Sequence, residues 1–130
     1  MKVLSLKEPF ATLIKNNVKF IETRSWKTDY RGELYIHSSK SKVEKSVYKR
    51  KELVKLFDEN ELSYGCIICK CDLVDCIKIT KEYQKEIKNN YPDQYICGDF
   101  TEGRYAWILK NIEPLKETIP AKGKLYIWNY

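Results

Sequence analysis

The run Cys66-Ile67-Ile68-Cys69-Lys70-Cys71-Asp72-Leu73-Val74 follows the breaker Ser63-Tyr64-Gly65 and is apolar enough for the central strand of a sheet. A central strand requires neighbours, and the rest of the chain supplies them. Val3-Leu4-Ser5-Leu6 reads as a short first strand, and Asp29-Tyr30-Arg31-Gly32 is a turn signal. After it Glu33-Leu34-Tyr35-Ile36-His37-Ser38-Ser39 alternates, with Leu34 and Ile36 facing inward. Tyr105-Ala106-Trp107-Ile108-Leu109 and Leu125-Tyr126-Ile127-Trp128 read as two aromatic strands, separated by Pro114 and Pro120.

Helices interrupt these strands irregularly. Pro9 suits a first helical position ahead of Phe10, Leu13 and Ile14, with Asn16-Asn17 as the stop. Ser41-x-x-Glu44 is a capping-box pattern, and Val43, Val47, Val54 and Phe57 share one stripe, which predicts the longest helix over 41–58. Thr80 is placed to cap another helix carrying Tyr83 and Ile87 and ending before Pro92. Residues 98–103 read as a loop. Without regular strand-helix alternation a doubly wound parallel sheet is excluded, and the order points to an α+β protein on a curled sheet or small barrel.

The length of 130 residues fits one domain spanning 1–130, and 43% hydrophobic residues with few Gly and Pro describe a folded chain. No apolar run approaches the ~20 residues of a membrane span, and Met1-Lys2-Val3-Leu4-Ser5-Leu6-Lys7-Glu8 lacks the apolar stretch of a signal peptide. The expectation is a cytoplasmic protein without a membrane partner. Cys66, Cys69 and Cys71 have metal-like spacing on paper. On a regular strand, however, Cys66 points away from the other two, so the expectation is buried free thiols, with no metal and no cofactor.

The net charge of +6 permits an anionic partner, but most of it is dispersed lysine. The four arginines are more telling, because a planar guanidinium reads phosphate and base edges. Two of them, Arg24 and Arg31, fall in or beside Asn17-Val18-Lys19-Phe20-Ile21-Glu22-Thr23-Arg24-Ser25-Trp26. In extended chain Glu22, Arg24 and Trp26 share a face, with Lys19 at the preceding junction rather than on that face. So charged a cluster suits a ligand site better than a core. Lys19, Arg24, Arg31 and Lys40 can neutralise phosphates, Trp26 can stack on a base, and Glu22 can accept from an exocyclic amine. The indole has a second reading, as a cap on the barrel beside Trp107 or Trp128. His37 is the only histidine and reads as a structural hydrogen-bonding residue. The basic face of Lys42, Lys45, Lys49, Arg50 and Lys51 reads as a solvated helix surface or as an electrostatic landing strip for nucleic acid.

Leu4-Ser5-Leu6, Pro9-Phe10-Ala11-Thr12-Leu13-Ile14, Lys19-x-x-Glu22-x-Arg24-x-Trp26, Tyr30-Arg31-Gly32 and Ile36-His37-Ser38-Ser39-Lys40 together resemble the ASCH (activating signal cointegrator homology) family. That family's signature is Gly-x-Lys-x-x-Glu-x-Arg, and Asn17 stands here where glycine is usual. Ile119-Pro120-Ala121-Lys122-Gly123-Lys124-Leu125 looks like part of its closing segment. The resemblance implies a PUA-like fold, a small β-barrel with flanking helices, and a cleft lined by Lys19, Glu22 and Arg24 that takes RNA, DNA or a modified nucleoside, with RNA or a modified nucleotide the favoured ligand. Trp26, Arg31 and Lys40 are added to that site from local chemistry alone.

Two other functions stay open. One ASCH branch resembles amidohydrolases of acetylated cytidine, in which a lysine activates a threonine nucleophile. Lys19 would be that lysine, but Glu22 occupies the nucleophile's position, which leaves a different, ribonuclease-type hydrolysis with Lys19 and Glu22 as an acid–base pair acting on RNA. The other is a protein-interaction domain with a protein partner.

Overall fold

The apolar run beginning at Cys66 is the first part of a longer strand in the computed structural model, which describes residues 1–130. The strands are β1 (Lys2–Leu6), β2 (Ile21–Arg24), β3 (Gly32–Ser38), β4 (Cys66–Lys78), β5 (Tyr105–Pro120) and β6 (Ile127–Asn129). They form one sheet in the order β2-β5-β4-β3-β1-β6, all pairs antiparallel except β1 with β3. Helix α1 (Phe10–Lys15) packs on the sheet through Ala11 and Ile14, which join Leu4, Leu34, Ile36 and Trp107 in the largest core cluster. The fold is α+β, a six-stranded half-barrel with flanking helices. No helix is long and apolar enough to cross a membrane.

Bulges curl the sheet. While β4 advances from Lys70 to Asp72, its partners on β5 run from Glu113 to Lys110, so β5 carries an extra residue there. Asn111 absorbs it at φ 53, a left-handed conformation that asparagine tolerates. A second bulge reverses an expectation about the cysteines. Ile36 pairs with Cys69 but His37 pairs with Ile67, and the inserted residue resets the alternation. Cys66, Ile68, Cys69 and Cys71 consequently all join the same core cluster, and Cys66 does not point away from the other two. All five thiols are free, and no three His, Cys, Asp or Glu side chains converge as a ligand set.

Pro114 does not end a strand, because β5 continues through it to Pro120. β2 covers only Tyr105 to Ile108, so the far half of β5 has one open edge, where a residue without an N–H is tolerated. At the other end of the sheet β6 is shorter than the aromatic pattern suggests. Leu125 and Tyr126 precede it and are 82% and 62% exposed.

The predicted helix over 41–58 is broken. It becomes α2 (Lys45–Tyr48) and α3 (Lys51–Val54), with Arg50 between them at φ −94, ψ 88. Both buried residues of this segment, Val47 and Leu53, pack with Leu13 and Cys97. Six residues apart they would sit about 240° apart around an unbroken helix. The break turns both inward, and Arg50 donates to the Ile96 carbonyl. The longest helix is α4 (Lys81–Asn90), where Thr80 Oγ1 accepts from the Tyr83 N–H at 3.1 Å. It stops before Pro92, which starts α5 (Pro92–Ile96).

His37 is buried and fully engaged. The Trp128 Nε1–H donates to Ser5 Oγ at 3.0 Å, and the Ser5 hydroxyl donates to His37 Nδ1 at 2.9 Å because the other nitrogen of the neutral ring faces a carbonyl that can only accept. His37 Nε2–H then donates to the Ala121 carbonyl at 2.8 Å. This relay ties the segment entering β6 to β1 and β3.

Candidate functional site

Helix α1 ends at Lys15, and just beyond its cap Asn16 the residue Asn17 takes φ 60. The N–H groups of Val18 and Lys19 both return to the Leu13 carbonyl at 3.0 Å. This left-handed cap turns the chain back on itself, a conformation open to asparagine as it is to glycine. The reversal drives Lys19 inward.

Lys19 is 1% exposed, and Nζ donates to the Ile21 carbonyl at 2.8 Å and the Cys97 carbonyl at 2.9 Å. The same ammonium lies 3.3 Å from Glu22 Oε1. Its long stem thus carries it from the junction to the carboxylate, a reach that strand alternation alone does not show. Glu22 also accepts from the Thr23 N–H at 3.1 Å and from Arg24 at 3.2 Å. One carboxylate is held between two cations. Of the three side chains Arg24 is the most open, 25% exposed against 7% for Glu22.

Residues outside the cluster hold this geometry. Gln94, buried on α5, accepts from the N–H groups of Phe20 and Ile21 at 2.9 and 3.2 Å and donates to the Val18 carbonyl at 2.7 Å. It satisfies backbone that an edge segment would leave unpaired. On the other side Asp99 N–H donates to Thr23 Oγ1 at 3.0 Å. That approach requires Gly98, where a Cβ would stand 3.2 Å from Thr23 Cγ2 and 2.9 Å from Phe100 Cε1.

These elements enclose a cleft of about 510 Å³ at the seam between the two edge strands, β2 and β6. Glu22, Thr23 and Arg24 form one wall, Cys97 to Asp99 another, and Lys124, Leu125 and Tyr126 a third. Glu8 and Phe10 line it from the start of α1, and Arg50 from between α2 and α3. Acidic and basic side chains line the cleft in equal number, four of each, so it presents both acceptors and donors. Several are already paired. Lys7 holds Glu44 at 2.6 Å and keeps its carboxyl below the usual range. The Thr101 hydroxyl, with Arg104 beyond it, does the same for Asp99, while burial pushes the Cys97 thiol up.

The sequence-derived site residues separate into three groups. Glu22 and Arg24 line the cleft, and Lys19 lies behind its wall. Trp26 lies outside the lining, half-buried, with its ring edge-to-face on Trp107 at 4.7 Å and near Tyr126 at 5.1 Å. The Arg24 guanidinium sits 5.8 Å from that ring, so the indole supports Arg24 from beneath. Arg31 and Lys40 lie elsewhere. Arg31 donates to the carbonyls of Thr28 and Tyr30, and the Lys40 stem packs over Gly65.

Sequence reading missed the opposite walls. Tyr126 is the exposed aromatic at the cleft, and it has φ 59, a costly conformation for a bulky residue. No local pattern marks it, because its position depends on the pairing of β6 with β1. Glu8 is buried and accepts from the N–H groups of Thr12 and Ser63, at 2.8 and 2.9 Å.

The ASCH domain family model matches residues 4–119. Activating signal cointegrator 1 from Homo sapiens is 28% identical over 132 residues, covering 96% of this chain and 21% of its own length. The Mus musculus protein of that name is 27% identical with the same coverage. The chain thus spans about a fifth of the length of these curated relatives. Among solved structures, the ASCH protein from Zymomonas mobilis superposes with TM-score 0.56 at 17% identity, covering 92% of this chain and 72% of that one. A tyrosine-to-phenylalanine variant of the same protein gives 0.55 at 18% identity, covering 92% and 74%. The family match over nearly the whole chain, with a fold similar to those structures, shows that this chain belongs to the ASCH domain family.

Proposed function

We propose that the chain acts as one domain that binds RNA or a modified nucleotide in the cleft between β2 and β6. The observation that carries this reading is the Lys19–Glu22–Arg24 arrangement, one carboxylate between two cations with the guanidinium at the open side. Arg24 offers paired N–H donors to a phosphate or a base edge, and Glu22 offers acceptor capacity to an exocyclic amine. Tyr126 and Phe10 supply apolar surface for a ring, and Lys124 adds positive charge at the rim. Lys19 is a positioning residue, and Trp26 supports Arg24. Arg31 and Lys40 contribute general positive potential from outside the cleft. A reducing, cytoplasmic setting suits five free cysteines.

The hydrolase reading draws no support from Lys19, because all three ammonium donors have partners and the side chain is shut from solvent. Against a protein-interaction domain, the discriminating variable is salt. Anisotropy of a fluorescein-labelled RNA of mixed sequence should give log affinity falling against log salt by about 0.7 per neutralised phosphate. Arg24→Ala should weaken binding on the order of tenfold, the discrimination of one good guanidinium contact. Affinity indifferent both to salt and to Arg24→Ala would overturn the proposal.

A further inference from the structure

A second cleft, of about 550 Å³, adjoins the first and shares Arg50, Gly98 and Asp99 with it. We infer that it is a second nucleotide subsite, so that the ligand is a single RNA strand running from one cleft to the other across Arg50, not an isolated nucleoside. This inference rests on the nucleotide reading of the first cleft.

The break between α2 and α3 builds one bank. Turning Val47 and Leu53 into the core leaves Lys49, Arg50 and Lys51 exposed along the edge of the second cleft. The stripe that reads as a helix face in sequence is therefore interrupted where three consecutive cations meet a cavity. The opposite bank is aromatic. Tyr95 lines the cleft stacked against Phe100, with centroids 5.8 Å apart and planes 19° apart, and Lys88 Nζ lies 5.6 Å from the Tyr95 ring. Phe100 is buried behind Tyr95, so a base would meet the half-buried Tyr95 ring in place of the exposed Lys88 side chain while the facing cations hold the strand's backbone.

Arg50 gives the two clefts their connection. It lines both, and its bond to the Ile96 carbonyl fixes the side chain on the divide. A phosphate between two bases, one in each cleft, would meet that guanidinium. The first cleft, balanced in charge, suits a base edge, and the more cationic second cleft suits the backbone that follows it.

The test uses fluorescein-labelled RNAs of one, two and four nucleotides, of mixed sequence, with anisotropy read at about 50 mM salt. The full chain should bind the tetranucleotide on the order of tenfold tighter than the mononucleotide, as one further stacked and neutralised nucleotide supplies. The double substitution Lys49→Ala with Lys51→Ala should abolish that gain, bringing tetranucleotide affinity down to that of the mononucleotide. Lys42→Ala with Lys45→Ala removes the same charge from exposed positions outside either lining and should preserve the gain. No gain with length, or equal loss from both double variants, overturns the second subsite while Arg24-dependent mononucleotide binding upholds the first. Failure of every RNA to bind brings down the cleft reading itself, and this inference with it.

Discussion

Two buried polar clusters hold the two ends of the sheet, one across β1, β3 and β6 and the other at β2, and they differ in where their hydrogen bonds end. The Trp128–Ser5–His37 relay runs from an indole N–H to the Ala121 carbonyl, and each donor meets a protein acceptor. The Lys19–Glu22–Arg24 cluster begins the same way, with an ammonium on two carbonyls, but ends on a guanidinium beside a cavity. Burial of polar groups therefore does not mark a site by itself. Capacity left open at a cavity wall does.

The largest expected effect tests whether Lys19 belongs to the structural half of this contrast. Lys19→Met removes one of the two cations on a buried carboxylate and leaves the Ile21 and Cys97 carbonyls without their donor, and urea unfolding should show a loss of about 3–5 kcal/mol. A loss below about 1 kcal/mol would mean that Lys19 is not the anchor described here. His37→Ala should cost about 2 kcal/mol through the unpaired Ala121 carbonyl and the lost packing, with RNA affinity unchanged. If it weakens RNA binding as much as Arg24→Ala does, the two clusters are not functionally distinct.

Arg24→Ala should do the reverse, lowering affinity on the order of tenfold while stability stays within about 1 kcal/mol. Tyr126 sharpens the comparison on a finer scale. Replacing it by Gly or by Ala removes the same ring contacts, so the glycine variant should be more stable by about 1 kcal/mol, the relief of a left-handed backbone. Equal stabilities would show that φ 59 stores no strain.

The smallest effect concerns the thiols of the closed core. Burial pushes Cys71 up to about 12 and raises Cys69 as well. A folded-state value above the unfolded ~8.5 stabilises the fold fully at lower pH and is lost as pH rises from there towards about 12. Iodoacetamide at about pH 8 should thus modify half-buried Cys76 first and spare Cys69 and Cys71, read by mass spectrometry. Rapid labelling of either would contradict the buried placement.

What the sequence disclosed was local. Thr80 as a cap, Asn16-Asn17 as a helix stop, and the inward pair Leu34 and Ile36 depend on neighbours a few residues away, and each takes its expected place. What it concealed was set at a distance. Val47 and Leu53 face the same way because Leu13 and Cys97 wait for both, which breaks a stripe that reads as continuous. Pro114 stays in a strand because β2 is too short to cover it, and Cys66 turns inward because one bulge resets the pleat. The candidate site divides along the same line. The signature segment placed Glu22 and Arg24 on one strand face, but the walls facing them come from 97–99 and 124–126, which no spacing within 17–26 specifies.

The parallel pairing of β1 with β3 and its antiparallel pairing with β6 join the two extremes of the sequence through one strand. The wall carrying Lys124 to Tyr126 stands on the latter pairing, the most non-local in the sheet. Loop closure makes such contacts late to form. Affinity for ligand is accordingly a gauge of complete assembly: a chain with every other strand docked would have most of the core but lack one wall of the binding groove.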